Sequence, residues 1–407
     1  MASLFRSLED VEVAGKRVLL RGDLNVPVQD GAVRDATRLE RLAETIRELV
    51  AKKAKVIVLS HFGRPKGKVE PSMSLRPVAA VLGKIIGQPV KFCDDLVGAK
   101  AQAAVKELLP GQVLILENTR FYPGEEKNDK AFAAQLAALG DVFVSDAFSV
   151  AHRAHASTEG IAHFIPSCAG REMQAEIETL TLALEKPEHP LIAIVGGSKI
   201  STKLDLLTNL TRKVDILVLG GGMANTFLAA QGKAMGRSLF EPDMLETART
   251  IMAESEGAGC RMLLPSDVVV AREFKEHAET QVVAVDAIPA DCMALDVGPE
   301  TVRRIEEAIA ASKTLVWNGP LGAFETAPFE EATVAVAKTI ARLTAAKKLV
   351  SIAGGGDTVA AVNVAGVAND LSYISMAGGA FLEWLEGRKL PGVEILRKEA
   401  PKSKAVG

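Results

Sequence analysis

Short apolar runs alternate with helix-period segments from one end of the chain to the other. In the first half, runs at 18–20, 56–59, 113–116 and 142–144 are separated by amphipathic patterns at 37–51, 75–86 (opened by Ser74) and 128–139, the last stopped by Gly140. The second half repeats the plan, with runs at 191–195, 216–219, 262–265, 314–317 and 349–352 and helical patterns at 243–254, 300–311 and 329–346. Strand-length runs spaced by helices predict βαβ units and parallel sheets covered on both faces. At 407 residues the chain exceeds one ordinary core, so the expected fold is α/β, two doubly wound parallel-sheet (Rossmann-like) domains. Between the halves, Met173, Ile177, Leu180 and Leu184 fall at helical spacing, and Pro187 forbids continuation. No Gly/Ser-rich linker intervenes, so this connector predicts a hinge helix.

Composition removes several classes of function. Hydrophobic residues make up 48% and charged residues 24%, as in a well-packed soluble protein. A net charge of -3 leaves no basic excess for a nucleic-acid backbone. Cys93, Cys168, Cys260 and Cys292 lie far apart without CxxC spacing, which fits reduced thiols in a cytoplasmic protein. The start, MASLFRSLEDVEV, turns acidic too early for a signal peptide. The longest charge-free stretch, 216–232, is broken by glycines, Asn225 and Thr226, and reads as strand, loop and helix start rather than a membrane span.

In open α/β sheets ligands bind beyond the carboxyl ends of the strands, so the residues that follow each run carry the functional reading. First-half runs lead into Arg21, Asp23 and Asn25, then His61 and Arg64, then Arg120, then His152 and Arg153, with Arg38 in the first turns of the helix after the first run. Five arginines and a histidine at strand or helix starts suit a small polyanion, because the guanidinium fork matches phosphate and carboxylate. His152 and His155 lack a third ligand at metal spacing, and Arg153 between them would repel a cation, so they read as anion contacts or packing.

Second-half runs end instead in Gly196-Gly197-Ser198-Lys199, Gly220-Gly221-Gly222, Asn318-Gly319-Pro320 and Gly354-Gly355-Gly356-Asp357-Thr358. Glycine-lined ends admit an extended ligand and offer N–H groups, and a helix start attracts phosphate. Asp357 at that start suits a magnesium-bound phosphate. Lys199 and Lys203, at i and i+4, are expected to point one way. Glu325 could accept from a ribose hydroxyl. P-loop and dinucleotide fingerprints both fail, the first for lack of Gly-Lys-Ser/Thr and the second at Val359 and Asn225. One domain thus reads as a polyanion site and the other as a magnesium-nucleotide site, a parts list for phosphoryl transfer. No general base is evident, which fits an acceptor already ionised. Asp23 as base to a hydroxyl acceptor stays open at this point, as does an anion-binding protein that closes on one ligand without chemistry.

Taken together these segments resemble the phosphoglycerate kinase family over nearly the whole chain. The matching stretches are RGDLNVP, SHFGRP, ENTRF, SDAFSVAHRAHAST, IVGGSKISTK, LGGGMANTF, LPSDV, WNGPLGAFE and IAGGGDT, in that order. The resemblance implies reversible transfer between 1,3-bisphosphoglycerate and Mg-ADP, giving 3-phosphoglycerate and Mg-ATP, by a monomeric hinge enzyme serving glycolysis, gluconeogenesis or carbon fixation. It implies that Asp23, Asn25, Arg38, His61, Arg64, Arg120 and Arg153 hold phosphoglycerate. It implies that Gly196, Lys199, Lys203, Gly220, Gly221, Asn318, Glu325 and Gly355, Gly356, Asp357 and Thr358 bind the nucleotide, with Asp357 on magnesium. Arg38, Lys199, Gly355 and Gly356 would attend the transferring phosphoryl. The domains expected are 1–170 for phosphoglycerate, 171–186 as hinge helix, 187–375 for nucleotide, and 376–407 returning to the first domain. Met376-Ala377 stands where the family has Thr-Gly, in the hinge region.

Overall fold

The computed structural model describes residues 4–29 and 31–398. Two compact units divide the chain: one runs to Glu178 and resumes at Lys389, and the other is Thr179–Arg388. The division falls inside the helix Arg171–Leu184. The return to the first unit starts at Lys389, so residues 376–388, expected to go with the first unit, group with the second. There Phe381 packs against Gly354, and Asn209 Nδ2 donates to Leu385 O at 2.6 Å.

The first unit is built on a six-stranded parallel sheet. Its strands lie in the order Val90–Phe92, Val113–Ile115, Lys55–Leu59, Arg17–Gly22, Val142–Asp146, Ser167–Ala169. Strand periodicity sends Val18, Leu20, Val56, Val58, Val113 and Val142 into one core and Leu19, Ile57, Leu59, Leu114 and Phe143 into the other. Near-continuous apolar runs are therefore what two covered faces require. The helix Thr37–Ala51 contributes Leu39, Leu42, Ile46 and Leu49 to the first of these cores.

The second unit holds a six-stranded parallel sheet in the order Arg261–Leu263, Ile216–Leu219, Leu191–Val195, Thr314–Asn318, Val350–Gly354, Tyr373–Ser375. By chain order this is 3-2-1-4-5-6, with the switch point between Leu191–Val195 and Thr314–Asn318. A separate antiparallel sheet pairs Asp267–Ala271 with both Thr280–Ala284 and Met293–Val297. Sequence periodicity misses it because its outer strand is largely exposed and carries no alternation. The three-residue strands Val90–Phe92, Ser167–Ala169 and Tyr373–Ser375 are also too short to show a period. The helix Ala99–Lys106 is missed because only Ala101 and Val105 face inward.

Candidate active site

The anion cluster of the first unit grows from loops that leave the carboxyl ends of neighbouring strands. Arg38, in the first turn of Thr37–Ala51, reaches back to Asp23 Oδ2 at 2.9 Å and to Asn25 O at 2.9 Å. Asp23 is buried, and its Oδ2 also accepts from Ser149 Oγ at 2.6 Å. Its Oδ1 accepts from Asn25 N at 3.1 Å, while Asn25 Oδ1 takes Gly63 N at 3.0 Å. Buried Asn118 ties the loops after 55–59 and 113–115 together, its Oδ1 taking Phe62 N and Arg120 N and its Nδ2 donating to Phe62 O and Met73 O. Arg120, also buried, donates to Gly63 O at 2.8 Å.

The remaining cations converge on the same place. Arg21 is buried and donates through Nε to Ser157 Oγ at 2.9 Å and through Nη2 to His61 Nδ1 at 3.2 Å. Burial holds His61 well below the usual histidine range, and Arg21, Arg120, Arg153 and Arg38 push it the same way. His155 is lowered to about 4 by burial first, then by Arg120, Arg21, Arg153 and His152. Arg64 is exposed but near enough to act electrostatically on Arg120. His152 Nε2 accepts from Arg153 Nε at 3.1 Å. A cluster this positive, with histidines held neutral, is an anion site before any ligand arrives.

The second unit carries a cleft of about 650 Å³ at the carboxyl ends of its strands. Gly197, Gly221, Gly222 and Pro320 line it on one side, Leu239, Phe240, Phe274 and Phe324 supply apolar surface, and Glu325 and Asp357 stand in its lining. Sequence reading missed the apolar wall, because its residues come from three separate loops without periodicity. The exposure of Leu239 and Phe274 that marks the wall in the structure is not legible in the sequence.

At the switch point two backbones touch. A Cβ on Gly196 would stand 1.7 Å from Pro320 O, and one on Gly319 would stand 2.2 Å from Gly196 O. Gly196 N donates to Asn318 O at 3.0 Å, Gly220 N to Val195 O at 3.1 Å and Gly221 N to Leu321 O at 2.7 Å. These glycines therefore give clearance rather than the free donors expected of them. The first turn of Gly356–Val364 offers further N–H groups that have no intrahelical acceptor. Gly355, with φ +95°, makes the entry to that helix, and a Cβ there would meet Asn318 Nδ2 at 2.8 Å.

Lys199 and Lys203 do not share a helix face. The helix begins at Leu204, Lys199 is exposed in the preceding turns, and Lys203 folds back into the seam. Its Nζ donates to Gly196 O at 2.7 Å, Asn318 O at 3.2 Å and Asn318 Oδ1 at 2.7 Å. Two glycines keep the chain after Leu191–Val195 from continuing as helix, so i,i+4 spacing carries no facial meaning there. Burial lowers Lys203 to about 8, opposed by Asp357. Asn318 also donates through Nδ2 to Gly354 O at 2.9 Å, and Thr358 Oγ1 accepts from Gly319 N at 2.7 Å. Both side chains join the switch-point turn to the glycine-rich turn.

A polyanion cradle on one parallel sheet and a glycine-floored cleft at the switch point of another are the parts of an α/β phosphotransferase. The family model for phosphoglycerate kinase matches residues 8–388. The chain is 60% identical over 395 residues to a phosphoglycerate kinase of Rhizobium meliloti, covering 97% of this chain and 99% of that protein. It is 62% identical over 396 residues to one from Methylobacterium radiotolerans, covering 97% and 99%. The solved phosphoglycerate kinase of Coxiella burnetii superposes with a TM-score of 0.91 at 43% identity, covering 96% of this chain and 98% of that one. That of Pyrococcus horikoshii OT3 gives 0.79 at 31% identity, with the same coverage. The chain belongs to the phosphoglycerate kinase family. Its reaction is the reversible transfer of a phosphoryl group between 1,3-bisphosphoglycerate and ADP, giving 3-phosphoglycerate and ATP, a step of glycolysis.

Proposed function

We propose that the two sites divide this reaction between them. Asp23, Asn25, Arg38, His61, Arg64, Arg120 and Arg153 hold the phosphoglycerate, and the cleft around Gly197, Gly221, Glu325 and Asp357 holds the nucleotide. The observation that carries this is the convergence of five arginines on one cluster, with His61 within electrostatic reach of four of them. Asp23 has both oxygens engaged by Arg38, Ser149 and Asn25 N. That occupation speaks against Asp23 as a general base and for an acceptor that is already a carboxylate.

Magnesium fits the nucleotide side. Among the described residues no three His, Cys, Asp or Glu side chains gather as a cage. Exposed Asp357 at the helix start is the single-carboxylate arrangement Mg²⁺ uses when substrate phosphates complete its shell. When bound it would neutralise phosphate charge, with Asp357 as its protein ligand. The N–H groups of the 356–364 helix start would face the phosphates, and the apolar wall would take the base. Arg38 and Lys199 are the mobile cations assigned to the group in transfer, since each is partly or fully exposed. Lys203 positions the turn between Gly196 and Asn318 as well as contributing charge.

Among the described residues no helix is long and apolar enough to cross a membrane. A monomer in the cytoplasm, with the 171–184 helix as hinge, completes the reading. The test is a steady-state assay with 3-phosphoglycerate, ATP and magnesium, trapping the acyl phosphate with hydroxylamine. Hydroxamate formation supports a carboxylate acceptor, and ADP release without hydroxamate would contradict it.

A further inference from the structure

Within the anion cluster lies a chain of almost fully buried polar groups, Glu125, Ser157 and Arg21. Glu125 is fully buried, accepting Ser157 N at 3.0 Å through Oε2 and Ser157 Oγ through Oε1. Ser157, fully buried as well, spends its hydroxyl proton on Glu125, so its oxygen is left to accept from Arg21 Nε at 2.9 Å. Arg21 donates through Nη1 to Gly22 O and through Nη2 to His61 Nδ1 at 3.2 Å. The donor directions follow from the guanidinium, which has no acceptor, so Arg21 donates to both Ser157 Oγ and His61 Nδ1. His61 Nδ1 must present a lone pair to Arg21, so the ring proton sits on Nε2. Among the described residues no hydrogen bond to Nε2 is found.

We propose that Glu125, Ser157 and Arg21 are positioning residues that lock His61 as the neutral Nε2–H tautomer, a fixed donor to bound phosphoglycerate. This rests on the reading of His61 as a substrate contact. The chemical logic is that a cluster with five arginines has charge enough. Beside the Asn25 amide, a neutral His61 adds an uncharged donor that points in one direction and takes up no proton when the anion arrives. A free histidine near its ordinary pKa would be part cation and part each tautomer, and binding would then draw a proton between about pH 6 and 7. With Nδ1 capped by an arginine, both protonation and the wrong tautomer are blocked at one atom.

The direct test uses the wild-type protein: ¹⁵N spectra of its imidazoles, with His61 assigned by comparison with His61→Gln. The expected result is an Nδ1-unprotonated ring at pH 7 that stays neutral below pH 6. A cationic ring or an Nδ1–H ring would overturn the inference. Ser157→Ala should then mix the tautomers; a competent fraction falling to about one-tenth to one-third raises KM for 3-phosphoglycerate about three- to tenfold. KM for Mg-ATP should not move, and KM for phosphoglycerate should acquire a pH dependence near neutrality.

His61→Gln separates positioning from general softening, because an amide N–H donates without a tautomer to lose. In that background Ser157→Ala should add little, whereas equal losses in both backgrounds would mean a merely structural role and overturn the inference. The underlying reading has its own arm. His61→Ala should raise KM for phosphoglycerate by about ten- to a hundredfold, the range for a hydrogen bond to a charged partner. An unchanged KM there would remove the substrate contact itself, whatever the tautomer proves to be.

Discussion

Arg38 separates holding the substrate from stabilising the transfer. Arg120 is buried and committed to Gly63 O, and Arg21 to Ser157 and His61, so neither is free to follow a moving group. Arg38 reaches Asp23 from a half-exposed position on a helix. A cation that meets the phosphoryl only in flight is worth about 10³–10⁵ in rate. Arg38→Ala should therefore cut kcat by orders of magnitude, with a far smaller loss of Mg-ADP binding. Arg38→Lys should restore charge and little activity, since an ammonium lacks the fork. Arg64→Ala should act mainly on KM for phosphoglycerate, and a kcat/KM comparison of the three variants checks the division. Lys203 gives a pH signature on the nucleotide side. Burial brings it to about 8, so KM for Mg-ADP should rise as pH passes 8 and the cation is lost. A flat profile to pH 9 would remove Lys203 from charge recognition. His155 acts on stability with the opposite reach. Its folded value of about 4 lies below the unfolded 6.5, so the unfolded chain binds the extra proton in that window. Stability should fall as pH drops from 6.5 toward 4, and His155→Asn should flatten part of that slope in urea titrations whatever constant packing loss it adds.

Helix starts and strand ends decide how far the sequence could be read. Runs such as 18–20 and 191–195 read as parallel strands because they are short and alternate with helical patterns, and a sheet covered on both faces hides consecutive apolar residues. Arg21, Arg64 and Arg120 were legible for the same reason, each within a few residues of the end of a run. What could not be read was commitment. Asn318 and Lys203 are expected as nucleotide contacts, and their polar atoms also span the switch-point seam, a pairing of residues 115 apart that spacing could not show. Gly196, Gly220 and Gly221 look like donors, but their N–H groups are spent on the backbone of neighbouring turns and strand ends. Clearance is their function, so Gly196→Ala should be among the costliest single changes: overpacking runs about 1–3 kcal/mol, and here the obstacle is backbone. A thermal melt of Gly196→Ala indistinguishable from wild type would refute the close seam. Asp357→Asn belongs to this scale too. It should weaken the magnesium dependence of the rate while sparing metal-free nucleotide binding, and an unchanged dependence would rule out the metal role.

At the scale of the whole molecule, one substrate on each unit, as proposed, means that transfer requires the two half-sites to meet. Small-angle scattering should show compaction when 3-phosphoglycerate and Mg-nucleotide are both present and little with either alone. Met376-Ala377 now groups with the nucleotide unit, ahead of the Gly379–Leu385 helix. Met376→Thr therefore tests whether this segment tunes closure, by shifting the compaction without altering either binary affinity. The claim beneath all of these is the division of labour itself, and calorimetric titration of each ligand onto single-site variants reads it most directly. Arg120→Ala should weaken 3-phosphoglycerate by about tenfold or more while leaving Mg-ADP within about twofold, and Asp357→Asn should do the reverse. If Arg120→Ala weakened Mg-ADP as much as phosphoglycerate, the two sites would not be separate, and the account would fail at its centre.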